Sequence, residues 1–240
     1  MKDIDLALFT GVDIPLPELQ LTLHQPSINE ISMIGEKAFL SGIQNLCIDK
    51  KLFERDRKDL SNTTNFQIFM TIMQEKEAKD IKDCVKDAFS LILPNSKLMI
   101  TPRALLLNYN GSNIIIDEGN FEDFQKILRQ VFCLKNEDED FNPANDAAAK
   151  IAEKIKKGRA RVAHIKGEDV GSIYAKYVSI LSVGLRIPIS VLNKYTVYQL
   201  NDQLERYYLW SNWDIDIRSR LAGAKADSKP EDWTRNIHKD

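Results

Sequence analysis

Leu105-Leu106-Leu107-Asn108-Tyr109-Asn110-Gly111-Ser112-Asn113-Ile114-Ile115-Ile116 is the stretch that decides the fold class. Two short apolar runs flank Asn110-Gly111. Asn and Gly tolerate positive φ, which the two-residue turn of a tight hairpin requires. The pattern predicts a strand over 105–109, a reversal and a return strand over 113–116, with 98–100 as a further short apolar run. Helical periodicity surrounds this hairpin on both sides, so the expected class is α+β.

Upstream, Leu19-Gln20-Leu21-Thr22-Leu23-His24-Gln25 alternates with a period of two. That predicts a strand with Leu19, Leu21 and Leu23 on one face. Pro15 and Pro17 make residues 1–18 read as an extended entry. Ser27 and Glu30 stand at capping-box spacing. They predict a helix from there to about Cys47, with Ile28, Ile31, Ile34, Ala38 and Phe39 inward. Residues 49–60 are charged and read as helix or ordered loop. Phe66, Phe69, Met70 and Met73 form a helical stripe, read as core although such a stripe also suits a binding groove. Ile81, Val85, Phe89 and Ile92 mark a helix over 78–93 that Pro94 stops. Asn120 is expected to cap a helix over 121–134.

Residues 136–146 are acidic and polar and carry Pro143. They read as a linker between an N-terminal mixed domain, 1–135, and an all-helical C-terminal domain, 147–240. The second part is expected to hold helices over 147–165, 172–185 and 190–195. A long helix follows, opened by a capping box at Thr196 and Gln199 and ending near Gly223, and the C-terminal tail is polar.

The 240 residues are 43% hydrophobic and 28% charged with a formal net charge of −2, an ordinary globular balance without a global field for nucleic acid. Cys47, Cys84 and Cys133 sit among apolar neighbours and read as reduced, buried small hydrophobes rather than a disulfide framework. The start of the sequence lacks the pattern of a signal peptide, and no run approaches the ~20 apolar residues of a membrane span. The expected setting is therefore the cytoplasm. His24, His164 and His238 have no local partners at metal-ligand spacing. Phosphate-binding glycine loops and nucleophile motifs are missing. No catalytic residue, metal or cofactor is expected. Asp138, Asp140 and Asn142 occupy the first ligand positions of a calcium loop, but Pro143 and Ala149 stand where that loop needs Gly and Glu.

Two segments suggest binding. Lys150, Lys154, Lys156, Lys157, Arg159, Arg161 and Lys166 make a basic stretch. Without interleaved aromatics it suits protein contacts or a solvated face better than nucleic acid. Arg206, Tyr207, Tyr208, Trp210, Trp213, Arg218 and Arg220 crowd the long helix, and Trp233 follows in the tail. Arg and large aromatics dominate protein interfaces, so these eight are the candidate partner-binding residues; the alternative is that they close the core of the helical domain. Tyr207, Tyr208, Trp210 and Trp213 fall within nearly two helical turns and cannot all point one way.

The stretches Thr196-Val197-Tyr198-Gln199-Leu200 to Arg206-Tyr207, Trp213-Asp214-Ile215-Asp216-Ile217-Arg218, Leu221-Ala222-Gly223-Ala224-Lys225 and Glu231-Asp232-Trp233 resemble the C-terminal region of bacteriophage tail assembly chaperones and related small tail-morphogenesis proteins. Asn142-Pro143, Ala149-Lys150-Ile151-Ala152-Glu153-Lys154-Ile155 and Arg159 are similar to their middle region. The resemblance spans about the last hundred residues. It implies a non-enzymatic factor that binds tape-measure or baseplate components in the host cytoplasm and covers their apolar surface before assembly. A structural baseplate or connector protein of the virion is the second reading, and a nucleic-acid-binding regulator the third.

Overall fold

The computed structural model of the chain describes residues 4–51, 62–134, 171–224, 230, 232–235 and 237. The expected acidic linker, the helix over 147–165, the basic stretch, His164 and His238 lie outside the described residues, as does most of 49–60.

The first elements are helix α1 (Asp5–Thr10), strand β1 (Ile14–Leu16), a 3-10 turn (Pro17–Leu19) and strand β2 (Leu21–Leu23). β1 and β2 pair antiparallel, Ile14 opposite Leu23. The extended entry expected over 1–18 is corrected: Asp5–Thr10 is helical, and Gly11 ends it at φ 72 with its N–H donating to Ala7 O. A left-handed glycine of this kind is a standard helix stop. Leu19 lies in the 3-10 turn, outside the strand face expected for it, while Leu21 and Leu23 are buried.

Ser27 and Glu30 form the expected capping box, yet the helix they open is two helices, α2 (Ile28–Ile34) and α3 (Glu36–Leu46). Gly35 separates them at φ 92 and ψ 128, far from helical values. Helix α4 (Asn65–Gln74) buries Phe66, Phe69, Met70 and Met73, so that stripe is core. Helix α5 (Lys79–Ile92) follows and buries Val85, Ala88, Phe89 and Ile92.

Strands β3 (Ser96–Ile100), β4 (Leu105–Tyr109) and β5 (Ser112–Ile116) form an antiparallel sheet in the order β3-β4-β5. Asn110 at φ 49 and Gly111 at φ 82 make the turn, with Tyr109 opposite Ser112. Leu105, Leu107, Ile114 and Ile116 face the core. Helix α6 (Phe121–Val131) follows and sets Phe121 against Phe66 and Phe69 of α4. Asn120 does not cap α6 with its side chain. Its amide instead closes the β5–α6 connection, accepting from Asp117 N at 2.9 Å and donating to Ile115 O at 2.9 Å.

After residue 170 come α7 (Ile173–Leu185), α8 (Ile189–Leu192) and the long α9 (Val197–Leu221). The class is α+β: two small antiparallel sheets and helices in the N-terminal region, then helices over 173–221. Tyr174, Val178, Leu181, Leu192, Val197, Leu200 and Leu204 extend the apolar core built by α3, α5 and the sheet.

The tightest point of that core is the crossing of α3 over α5. A Cβ placed on Gly42 would lie 2.2 Å from Cys84 O and 2.7 Å from the Ala88 methyl. Only glycine lets the two backbones meet there, and the obstacle is main chain, which has no rotamer to move. Around this contact Phe39 meets Phe132 edge-on at 5.4 Å, and Phe89 stacks on Phe124 at 6.0 Å. Gly42→Ala is expected to lower unfolding stability by about 2–3 kcal/mol in urea titration, as overpacking forces the helices apart. Gly111→Ala, at an open turn, should cost less than Gly42→Ala.

Candidate functional site

The candidate residues lie on α9 and the tail behind it. The start of α9 is fixed first. Thr196 and Gln199 form a capping box, Gln199 Oε1 accepting from Thr196 N at 2.9 Å and Gln199 N donating to Thr196 Oγ1 at 3.3 Å. The same Gln199 donates through Nε2 to Phe9 O at 2.9 Å, tying α9 to the end of α1.

Beside it, the first turn of α2 turns its free N–H groups on the segment before α9. Ile28 N donates to Tyr195 O at 2.9 Å and Asn29 N to Asn193 O at 2.8 Å. Ser27 and Thr196 themselves form an antiparallel bridge. Glu36 supplies the third tie: its carboxylate accepts from Ser172 Oγ, from Ile173 N at 2.8 Å and from Tyr174 N at 3.2 Å. It therefore caps the start of α7 from a position far away in sequence, where a negative charge also suits the helix dipole.

Along α9, Val197, Tyr198, Leu200, Asp202, Leu204 and Leu209 are buried, and beyond Leu209 no described residue of the helix is. Tyr207 lies against α7, where a Cβ on Gly184 would come within 2.4 Å of its ring. Tyr208 and Trp210 are 47% and 40% exposed. The rings of Tyr208 and Trp210 stand 6.1 and 6.3 Å from that of Tyr207. Further out, Ile215 and Leu221 are exposed as well.

The eight candidate residues thus fall into three groups. Tyr207, Tyr208 and Trp210 are neighbouring rings, with Tyr207 turned inward. Arg206, Trp213 and Trp233 meet at the tail: the tryptophan rings are 6.4 Å apart, and Arg206 Nη1 donates to Trp233 O at 2.7 Å. Arg218 and Arg220 pair within the helix, with Asp214 and Asp216, each at 2.9 Å. Such i,i+4 pairs add a few tenths of a kcal/mol to a helix.

A groove of about 430 Å³ lies between α2, α3, α7 and α8, lined by Ile28, Ile31, Tyr174, Val178 and Ile189. Glu36 lines it too, but its carboxylate is committed to the start of α7. Among the described residues no group of His, Cys, Asp and Glu is arranged to hold a metal ion. His24 bridges two carboxylates, Nδ1 to Asp13 at 2.8 Å and Nε2 to Glu30 at 3.3 Å, so it ties β2 to the cap of α2. Glu30 is held below the usual carboxylate range: burial raises it, and hydrogen bonds from Ser27 with the nearby His24 outweigh that. Cys47 is buried, whereas Cys84 and Cys133 are only partly so, short of the burial expected of all three. No helix among the described residues is long and apolar enough to cross a membrane.

Residues 175–238 match the family model of the YomV second domain, a phage-derived protein family. The match begins in α7 and runs through α9 to the tail, covering well under half of the chain. It supports reading the C-terminal region as that of a phage protein. No curated protein and no solved structure matches the chain.

Burial pushes the Cys47 thiol up from 9.0 to about 12, against the opposing charge of Arg129. The folded chain therefore holds that proton more tightly than the unfolded one. This contribution to stability is complete below pH 9 and is lost as the pH rises from 9 toward 12, by up to about 1.4 kcal/mol per pH unit. Tyr174 and Tyr198, also pushed up by burial, act in the same direction above pH 10. Urea midpoints should fall between pH 8 and pH 10.5, and more shallowly for Cys47→Ala than for the wild type. An equal slope in the two proteins would contradict the burial assigned to Cys47.

Proposed function

We propose that the chain is a non-enzymatic phage assembly factor that binds tail components, tape-measure or baseplate proteins, through the outer half of α9. The observation that carries this reading is a coincidence of place. The segment matching a phage-derived family includes a helix whose inner half is anchored in the core and whose outer half exposes large aromatics. An anchored helix offering Tyr208 and Trp210 has its binding groups ordered before a partner arrives, so less entropy is lost on contact.

The mechanism is the covering of apolar surface. Unassembled tail components expose faces that will later pack against one another, and such faces aggregate when left in water. Tyr208 and Ile215 share one face of α9 and can cover a matching apolar patch, Trp210 offers a second on the opposite side, and the Asp214–Arg218 and Asp216–Arg220 pairs keep the rim polar, as at a protein interface. The setting that follows is the cytoplasm of an infected bacterium. The resemblance of the last hundred residues to tail assembly chaperones gives the reading its biological frame.

Affinity capture of the chain from phage-infected cells, followed by mass spectrometry, is expected to recover a tape-measure or baseplate protein. The double variant Tyr208→Ala/Trp210→Ala should lower that recovery at least ten-fold with an unchanged melting temperature, since two interface aromatics are each worth about 1–2 kcal/mol or more. Purified particles should lack the chain. A stoichiometric copy in the particle would favour the structural reading over the assembly factor, and capture without any tail protein would sink both.

A further inference from the structure

Past Leu221 the chain reverses direction. Gly223 sits at φ 91, and ten residues on, Trp233 is back beside Trp213, with 6.4 Å between ring centroids. Arg206 holds the returning main chain at two points. Its Nη1 donates to Trp233 O at 2.7 Å and to Arg235 O at 2.8 Å. The direction of return is therefore toward the start of α9, from Trp213 to Arg206. The segment makes its own turn, because Asp232 Oδ1 accepts from Thr234 N at 2.9 Å and from Thr234 Oγ1 at 2.7 Å.

Among its described residues this strap brings α9 one indole ring, two main-chain carbonyls and the negative charge of Asp232 near Arg206. Carbonyls are present in every peptide, and a guanidinium is a cation with several donors in a fixed fork, suited to collecting them. Trp213 adds an aromatic surface that selects a ring. The attachment is thin. Asp232, Thr234 and Arg235 are exposed and Trp233 is only half-buried, in contrast to Leu200 and Leu204 deeper along the helix.

We propose that Arg206 and Trp213 form a docking site for tryptophan-bearing peptide segments, and that residues 232–235 of the chain occupy it as a displaceable strap. The partner chemistry is a segment presenting a tryptophan and, two residues later, a free main-chain carbonyl. Such a segment must compete with the strap, so its apparent affinity is reduced by the fraction of time the strap is seated. This inference rests on the reading of α9 as the binding element, and it concerns the helix face that Arg206, Trp210 and Trp213 share, opposite Tyr208.

The test uses the full chain and a fluorescein-labelled peptide of residues 229–237, followed by fluorescence anisotropy. Trp233→Ala, which loosens the strap, is expected to bind the peptide at least ten-fold more tightly than the wild type. Trp233→Phe, which keeps an aromatic ring on Trp213, should stay as closed as the wild type. Adding Arg206→Ala to Trp233→Ala should reverse the gain. Trp233→Gln serves the same comparison if Trp233→Ala does not fold. Equal binding to wild type and the opened variant, no binding to either, or a gain that survives Arg206→Ala overturns the proposal. A negative result leaves capture of tail proteins standing, and a failed capture leaves the peptide result standing.

Discussion

Helix starts carry N–H groups with no partner inside the helix, and this protein satisfies several of them across the junction between its N-terminal and C-terminal regions. Ile28 and Asn29, at the start of α2, donate to the carbonyls of Tyr195 and Asn193. Ile173 and Tyr174, at the start of α7, donate to the carboxylate of Glu36. The two capping boxes, at Ser27 and Thr196, lie side by side in one antiparallel bridge. Lifting the C-terminal helices off would exchange these bonds for bonds to water, a net loss of about 0.5–1.5 kcal/mol each, and would also uncover the apolar core beneath them. The position of α9, and hence everything it displays, follows from this joint.

The joint also explains the two characters of α9. Its first half lies over the core, and Val197, Leu200 and Leu204 are buried there. Its second half has no core to meet and carries aromatics and ion pairs instead. Tyr208 and Trp210 stand where the helix leaves the body, held by the inward packing of Tyr207 on Gly184. A flexible segment with the same residues would have to be ordered on binding; here the order already exists. The strap from the tail covers a neighbouring part of the same helix through Arg206 and Trp213.

Local signals carried most of the fold. Asn110-Gly111 placed the hairpin because its turn demands positive φ, and both residues adopt it. Ser27–Glu30 and Thr196–Gln199 marked two helix starts through a reciprocal hydrogen-bond pattern that depends on four residues only. The division of the first long helix at Gly35 was written in the same code but outweighed by the apolar period running through it. Gly11 likewise announced the end of α1, a helix too short for periodicity to show. The crossing at Gly42 was not legible, because its meaning depends on the Cys84 carbonyl of another helix. The same holds for Glu36: nothing near it in sequence says that its carboxylate caps α7. On α9, composition pointed to Arg206, Trp213 and Trp233 as separate candidates, and only the return of the chain brings them into one cluster. The i,i+4 partners of Arg218 and Arg220 were visible as spacing alone.

The central claim is that these helix-start donors bind the C-terminal helices to the α+β body as one cooperative unit, with α9 presented from it. Native-state hydrogen exchange measures that directly, amide by amide. The amides of Ile28, Asn29, Ile173 and Tyr174 are expected to open with nearly the same free energy as those of Val85 and Phe89 in the core helix α5. Fast exchange at the four junction amides beside full protection in α5 would contradict the account.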